Sequence, residues 1–208
     1  AFRIVKAIEA NLAVDGVLDL SPDEAATFEL VLAAPHSALR RNEDQTPRML
    51  AALRQPRVRV LAHPRGRMMS RRGVLAHWDQ VFRSAADLGV AVELDGDPYR
   101  QDLDHRLAAE ALRAGCLFAI DSDAHSGREL AYTDIALAHA RLAGIPPERV
   151  INCWDVDRLL AWASGAAPAR RRSAPGRRRT ATSRHRTAAG GRRGQAPRGT
   201  GERVPVGP

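Results

Sequence analysis

Five short apolar segments, each followed by a pattern of helical periodicity, constrain the fold of this 208-residue chain more than any other feature. The segments lie at 3–10, 30–34, 58–61, 90–94 and 117–120, and residues 150–153 are a candidate for a sixth. Regular alternation of strand and helix predicts a parallel sheet with helices packed against it. An open sheet and a (β/α) barrel both satisfy this alternation.

Capping signals locate several of the helices. Ser21-Pro22-Asp23-Glu24 combines an N-cap, a proline in the first turn and a capping-box glutamate. Thr46-Pro47 predicts the start of a helix over 48–54, and Ser126 and Glu129 have the capping-box spacing ahead of a helix over 128–143. Gly89 and Gly115 are predicted to end two further helices.

Polar side chains recur where the predicted strands end. Glu9, His36, His63 and the segment 121–125 each lie at or just beyond the C-terminal end of a strand. Taken alone, each histidine is better explained by a structural role, and the Asp-x-Asp-x-His segment is equally well explained as a solvated loop. Their joint placement on successive strands instead indicates one shared rim, where (β/α) barrels assemble their sites.

The residue types at this rim favour a catalytic metal site. Imidazole nitrogens and carboxylate oxygens without a nearby thiolate are typical ligands of catalytic zinc, manganese or iron. Two or three such ions close together hold a phosphate and generate a nucleophile near neutral pH.

The charge of +8 belongs to the C-terminal segment. Residues 166–208 contain 12 arginines and one carboxylate, Glu202, with no aromatic side chain. Such a composition cannot bury enough apolar surface to fold, so residues 165–208 are predicted to be a disordered Arg/Gly/Ala/Pro-rich tail and residues 1–164 the folded domain. Arginines of this kind would bind nucleic acid non-specifically and in a salt-dependent way.

The cysteines and hydropathy indicate a cytoplasmic protein that does not contact a membrane. Cys116 and Cys153 stand apart and are predicted to be reduced and buried. No apolar run approaches the length of a membrane span. The chain begins without methionine and inside a predicted strand, so we expect a segment of the fold to be missing upstream. The sequence does not indicate an oligomeric state.

The motifs at the rim resemble those of the polymerase and histidinol phosphatase (PHP) family, over residues 1 to about 163. The resemblance rests on four motifs: Ile8-Glu9, His36-Ser37, His63-Pro64-Arg65-Gly66-Arg67 and Asp121-Ser122-Asp123-Ala124-His125. Two further segments add to the match: Ala38-Leu39-Arg40 through Glu43-Asp44-Gln45-Thr46, and Glu93-Leu94-Asp95-Gly96. It is nearest to stand-alone PHP phosphoesterases and to the PHP domain of bacterial family X DNA polymerases.

The resemblance implies a distorted seven-stranded (β/α) barrel, N-terminally incomplete here, with phosphoesterase activity on a phosphomonoester or on DNA 3′ ends. It implies that Glu9, His36, His63, Asp123 and His125 are metal ligands, with Glu9 bridging. The full-length family holds up to three zinc, manganese or iron ions, and water activated by the metal is the only catalytic group. The family's first-strand His-x-His pair and two further histidines have no counterpart here, so fewer ions are expected.

Arginines on the same rim suit a phosphate. Arg65 and Arg67 adjoin His63, and a guanidinium matches the geometry of a phosphate group. Tyr99 or Arg100, on the loop after the fourth strand, is a further candidate for substrate contact. His77, His105 and His139 are predicted to be surface residues away from the rim.

Four functions remain open at this point. The first is a metal-dependent phosphoesterase, and the second is a catalytically impaired PHP fragment or the PHP module of a repair polymerase or exonuclease. The third is a nucleic-acid-binding module that uses the tail, although the tail lacks aromatic side chains for base stacking. The fourth is an amidohydrolase-type metal barrel, which the arginines beside His63 disfavour.

Overall fold

A computed structural model of the chain describes residues 3–69 and 72–165. These residues all belong to the first of the two units into which the chain divides, Ala1–Ala169. The predicted disordered tail lies outside the described residues, apart from Gly165. The boundary between a domain at 1–164 and a tail at 165–208 therefore stays a prediction.

The five predicted strands form one parallel sheet. Their bounds are β1 Ala7–Asn11, β2 Leu30–Ala34, β3 Val58–Leu61, β4 Ala91–Asp95 and β5 Leu117–Asp121. Neighbours in the sheet are neighbours in sequence, in the order β1-β2-β3-β4-β5. Right-handed crossovers between sequential strands all return on the same face, as they do in a barrel. Among the described strands no pairing joins β5 to β1, so the seven-stranded barrel stays a prediction within a confirmed parallel α/β fold.

Six α-helices accompany the sheet. They are α1 Pro22–Ala26, α2 Thr46–Leu53, α3 Trp78–Leu88, α4 His105–Ala114, α5 Thr133–Leu142 and α6 Val156–Ala163. The predicted capping box at Ser21 and Glu24 is confirmed, with both reciprocal hydrogen bonds present. Gly89 and Gly115 end α3 and α4 in the left-handed conformation, as predicted.

Two predicted helix starts are wrong. Gln45, not Thr46, precedes α2, and the Thr46 hydroxyl donates to Asp44 Oδ1 at 2.6 Å. The helix predicted to begin at Arg128 begins at Thr133 instead, and the Glu129 carboxylate accepts the His125 N–H at 2.6 Å. A 3₁₀ turn, Glu129–Tyr132, therefore comes before α5.

The predicted strand over 150–153 is a 3₁₀ turn, Ile151–Cys153, with a single bridge from Val150 to Phe118. Asn152 explains the difference. Its side-chain amide accepts the Ile120 N–H at 2.8 Å and donates to the Ile120 carbonyl at 2.9 Å. One amide group thus satisfies the backbone of β5 where a sixth strand would have paired.

Alternation along the strands separates two clusters of apolar side chains. One face, with Val92, Leu94 and Phe118, packs against the helices. On the other face, Val60 and Ala91 pack with Ile151 and Trp162, near the N-terminal ends of the strands. The same face carries Glu9, Glu93, Asp95 and Asp121 nearer the C-terminal ends. The chemistry-bearing residues therefore occupy one end of a face whose other end is apolar.

The cysteines differ from each other. Cys116 is buried, its thiol donates to the Phe82 carbonyl, and burial raises its pKa to about 12. Cys153, the last residue of the 3₁₀ turn before α6, is exposed, so the prediction of a buried pair is wrong for this residue. Within the described residues, no helix has the length and apolarity needed to cross a membrane.

A buried arginine fixes the backbone next to the strand ends. Arg48, on α2, is 3% exposed. Its guanidinium donates to the carbonyls of Leu12, Ala13 and Ser37, and also to the side chains of Gln45 and Ser37. It thereby joins the turn after β1 to the loop after β2, which carries His36.

We predict that Arg48→Met destabilises the protein by about 3–5 kcal/mol, because the buried Leu12 carbonyl and the partly buried carbonyls of Ala13 and Ser37 lose their donor. Urea denaturation followed by circular dichroism measures this change. Arg54→Met, at the exposed end of the same helix, is the matched control and should change stability by less than about 0.5 kcal/mol. Equal effects of the two substitutions would contradict the role of Arg48.

Candidate metal centre

Three of the predicted ligands meet at the C-terminal edge of the sheet. Glu9 lies on β1, His36 follows β2 and His63 follows β3. Oε1 of Glu9 is 3.2 Å from His36 Nε2 and 3.5 Å from His63 Nε2. One ligand atom from each residue lies within 4.8 Å of the other two, and no other such group exists in the described part of the chain. We call these three residues the Glu–His–His cluster.

Asn11 orients the His36 ring. The Asn11 amide Nδ2 donates to the Asp19 carboxylate, and this bond fixes the orientation of the amide. Its Oδ1 therefore faces His36 Nδ1, at 2.6 Å, and an amide oxygen only accepts. His36 Nδ1 must carry the proton, which leaves the Nε2 lone pair directed toward Glu9. A second partner of this kind is typical of histidines that bind metals.

His63 lacks partners for its ring. The side chain is 1% exposed, and neither Nδ1 nor Nε2 forms a hydrogen bond among the described residues. Its backbone N–H donates to the buried Glu93 carboxylate, and its φ of 24° lies in the left-handed region. Buried polar atoms without partners and strained backbone are both typical of functional sites.

The cluster fits a divalent cation. Close contact with the rings of His36 and His63 holds the pKa of Glu9 well below its usual range, so its carboxylate is ionised. One anionic oxygen and two imidazole nitrogens are the ligand set of zinc, manganese or iron at catalytic sites. A cation there would also satisfy the unpaired Nε2 of His63.

The other two predicted ligands do not join the cluster. Asp123 Oδ2 accepts the Nε–H of Arg100 at 3.0 Å, and the Asp123 backbone has a φ of 48°. The His125 side chain is 78% exposed, with Nδ1 2.7 Å from the Asp123 carbonyl oxygen. Of the five predicted ligands, the structure thus brings together Glu9, His36 and His63.

Buried carboxylates line the same edge of the sheet between the cluster and Asp123. Glu93 is buried, and desolvation followed by the charge of Asp121 raises its pKa well above the usual range. Burial also raises the pKa of Asp95 to about 8. Oδ2 of Asp95 lies 3.5 Å from Arg100 Nε, so one guanidinium stands between Asp95 and Asp123.

The two arginines predicted to bind phosphate are occupied. Arg65 donates to Asp104 Oδ2 at 3.1 Å, and Arg67 donates to the Arg100 carbonyl at 2.5 Å. Their backbone N–H groups also point at the fully buried Asp102 carboxylate. Tyr99 is exposed, whereas Arg100 is largely buried in its contacts with carboxylates.

Sequence reasoning missed Asn11 and Arg48, and it named Asp95 only as part of the Glu93-Leu94-Asp95-Gly96 motif. The position of Asn11 could have been used to predict its place in the site, because it lies two residues after Glu9 on one strand and therefore on the same face. Asp95 lies two residues after Glu93 in the same way. Arg48 carries no such signal, since a single arginine in a helix usually faces water.

Two curated proteins are similar to this chain. The DNA polymerase/3′-5′ exonuclease PolX of Bacillus subtilis (strain 168) is 32% identical over 153 residues, which cover 73% of this chain and 27% of that protein. A probable phosphatase of Syntrophotalea carbinolica is 28% identical over 163 residues, which cover 72% of this chain and 65% of that protein. No family model matches the chain.

The chain thus spans about a quarter of one relative and just under two thirds of the other. Both names agree with the resemblance drawn from the motifs, which pointed to polymerase-associated and phosphatase-type proteins.

The raised pKa of Asp95 predicts a pH dependence of stability. The ordinary pKa of this carboxyl group is 3.8, and in the folded protein it is about 8. The contribution of Asp95 to the free energy of unfolding is therefore fully present below pH 3.8 and is lost as the pH rises toward 8. Relative to wild type, Asp95→Asn should gain stability between pH 5 and pH 8, by at most about 1.4 kcal/mol per pH unit. Urea denaturation at both pH values tests this. Asp87→Asn, on the exposed surface of α3, should show no such trend, and a constant difference for Asp95→Asn would contradict the assignment.

Proposed function

We propose that this protein is a metal-dependent phosphoesterase that hydrolyses a phosphomonoester or a DNA 3′ end. The observation that carries the proposal is the Glu–His–His cluster, in which a buried His63 has no hydrogen-bond partner for either ring nitrogen among the described residues. The similarity to a probable phosphatase and to a polymerase/exonuclease supports the same class of reaction.

The residues of the cluster have separate tasks. Glu9 contributes the negative charge, His36 and His63 contribute neutral nitrogens, and Asn11 keeps the His36 ring in place. A divalent ion held there supplies Lewis acidity toward a phosphoryl oxygen and makes water a nucleophile near neutral pH. We assign zinc, manganese or iron to the site, since all three accept these ligands.

Asp123 and His125 would complete the site as ligands of a further ion. They follow β5 on the edge of the sheet that carries the cluster, which supports this assignment. Asp123 would have to release Arg100, and the exposed His125 ring would have to turn inward. The freed Arg100 would then offer its guanidinium group to the substrate phosphate, and Arg65 and Arg67 would do so on releasing Asp104 and the Arg100 carbonyl.

A specific observation favours one alternative, a domain that binds metal but has little catalytic activity. Asp123 is paired with a guanidinium and His125 faces water, so the second half of the predicted ligand set is not assembled. Such a domain could serve as the PHP module of a larger polymerase or exonuclease. Residues 165–208 could then add non-specific binding of nucleic acid through arginine.

The test combines metal binding with hydrolysis. Manganese affinity by isothermal titration calorimetry and hydrolysis of p-nitrophenyl phosphate should both fall at least about 100-fold in Glu9→Gln, because the only anionic ligand of the cluster is removed. Asn11→Ala should weaken manganese binding by about 10- to 100-fold, as expected for a residue that orients a ligand.

His77→Gln is the control, because His77 is exposed and lies outside the cluster. It should match wild type in both assays. Manganese binding that depends on Glu9 without measurable hydrolysis would establish the catalytically impaired alternative. Equal manganese affinity in wild type and Glu9→Gln would contradict the metal site itself.

A further inference from the structure

An open pocket adjoins the Glu–His–His cluster and has no role in the proposed reaction so far. Its lining comprises His36, Ala38, Leu39, Arg40 and Arg41. His36 is common to the pocket and to the cluster, so a molecule that fills the pocket also reaches the reaction site. We call this the rim pocket.

The rim pocket contains two free cations. Arg40 and Arg41 are exposed, and in the described part of the chain neither guanidinium makes a hydrogen bond or an ion pair. Glu43, although close in sequence, pairs with neither of them. The described arginines of the loops after β3 and β4 differ in this respect, because each has a partner: Arg65 and Asp104, Arg67 and the Arg100 carbonyl, Arg72 and Asn42, Arg100 and Asp123.

The backbone of the rim pocket is fixed from several sides. Arg48 donates to the Ser37 carbonyl at 2.9 Å, and Gln45 donates to the Ala38 carbonyl at 3.0 Å. Leu39 packs so closely on Gly66 that a Cβ there would lie 2.5 Å from its Cδ2. The backbone that carries the two guanidinium groups is therefore held by side-chain hydrogen bonds and by packing. A preformed concavity with free cations costs little to organise around an anion.

We propose that the rim pocket binds a second phosphate of the substrate, next to the phosphate held at the cluster. A guanidinium recognises phosphate through paired N–H donors, and two unpaired ones beside each other accommodate a group of charge −1 to −2. This inference rests on the proposed function and narrows its substrate class. Substrates that carry two phosphates close together are preferred over simple phosphomonoesters.

This substrate chemistry has two sources, a free bisphosphate and the phosphodiester adjoining the end of a DNA strand. Thymidine 3′,5′-bisphosphate represents the first, and a thymidylate tetranucleotide with a 3′ phosphate represents the second. Thymidine 3′-monophosphate is the reference, because it has no second phosphate. Dissociation constants are measured by isothermal titration calorimetry on the full chain with manganese.

Wild type should bind each probe with two or more phosphates about ten-fold more tightly than it binds the monophosphate. In the double variant Arg40→Gln/Arg41→Gln, this ratio of dissociation constants should fall most of the way to one. For the tetranucleotide, the slope of log K against log salt should decrease by about 0.7 for each phosphate that an arginine no longer neutralises. Loss of the ratio for only one probe identifies the source and supports the proposal equally.

Arg54→Gln/Arg113→Gln is the matched control. It removes the same charge at the C-terminal ends of α2 and α4, which lie opposite the C-terminal edge of the sheet. It also leaves the arginines of the tail unchanged, so their contribution is equal in both variants. The control should keep the wild-type ratio.

An unchanged ratio in Arg40→Gln/Arg41→Gln, or an equal reduction in the control, would overturn the proposal. Failure of the proposed function looks different, because the monophosphate would then bind wild type and Glu9→Gln equally. Binding of the monophosphate that depends on Glu9, with a ratio that does not depend on Arg40 and Arg41, would refute the rim pocket alone.

Discussion

One carboxylate oxygen, Oε1 of Glu9, lies between two imidazoles, and the arrangement of the C-terminal edge of the sheet depends on this contact. It joins the first three strands of the sheet, because His36 follows β2 and His63 follows β3. A further hydrogen bond positions each histidine: His36 Nδ1 bonds to Asn11, and the backbone N–H of His63 donates to Glu93. The result is a preorganised set of ligands on a strand and just beyond the ends of two others, which suits a metal site.

Charge on the rest of this edge is balanced within the protein. Arg100 lies between Asp95 and Asp123, and Arg65 pairs with Asp104. Burial keeps the pKa of Glu93 raised, which reduces the negative charge that has to be compensated. Arg40 and Arg41 pair with no carboxylate in the described part of the chain, so their guanidinium groups can bind an external anion. Free guanidinium groups of this kind can bind a substrate phosphate without first losing a partner within the protein.

The sequence predicted those features that have a local or periodic cause. Five strands, the cap at Ser21 and the placement of Glu9, His36 and His63 follow from alternation, capping chemistry and strand ends. Contacts that form only in the folded chain were missed. Asn152 replaces a strand by pairing with Ile120 through its side chain, and Asp104 engages the Arg65 guanidinium that was assigned to phosphate. Neither effect has a signature in spacing or composition.

The central claim is that the first divalent ion binds at the Glu–His–His cluster. A crystal soaked in zinc, with data collected on both sides of the zinc absorption edge, locates that ion directly. The strongest anomalous peak should lie within about 2.0–2.2 Å of a Glu9 carboxylate oxygen and of one ring nitrogen each of His36 and His63. A strongest peak beside Asp123 and His125, with the cluster unchanged, would contradict the account.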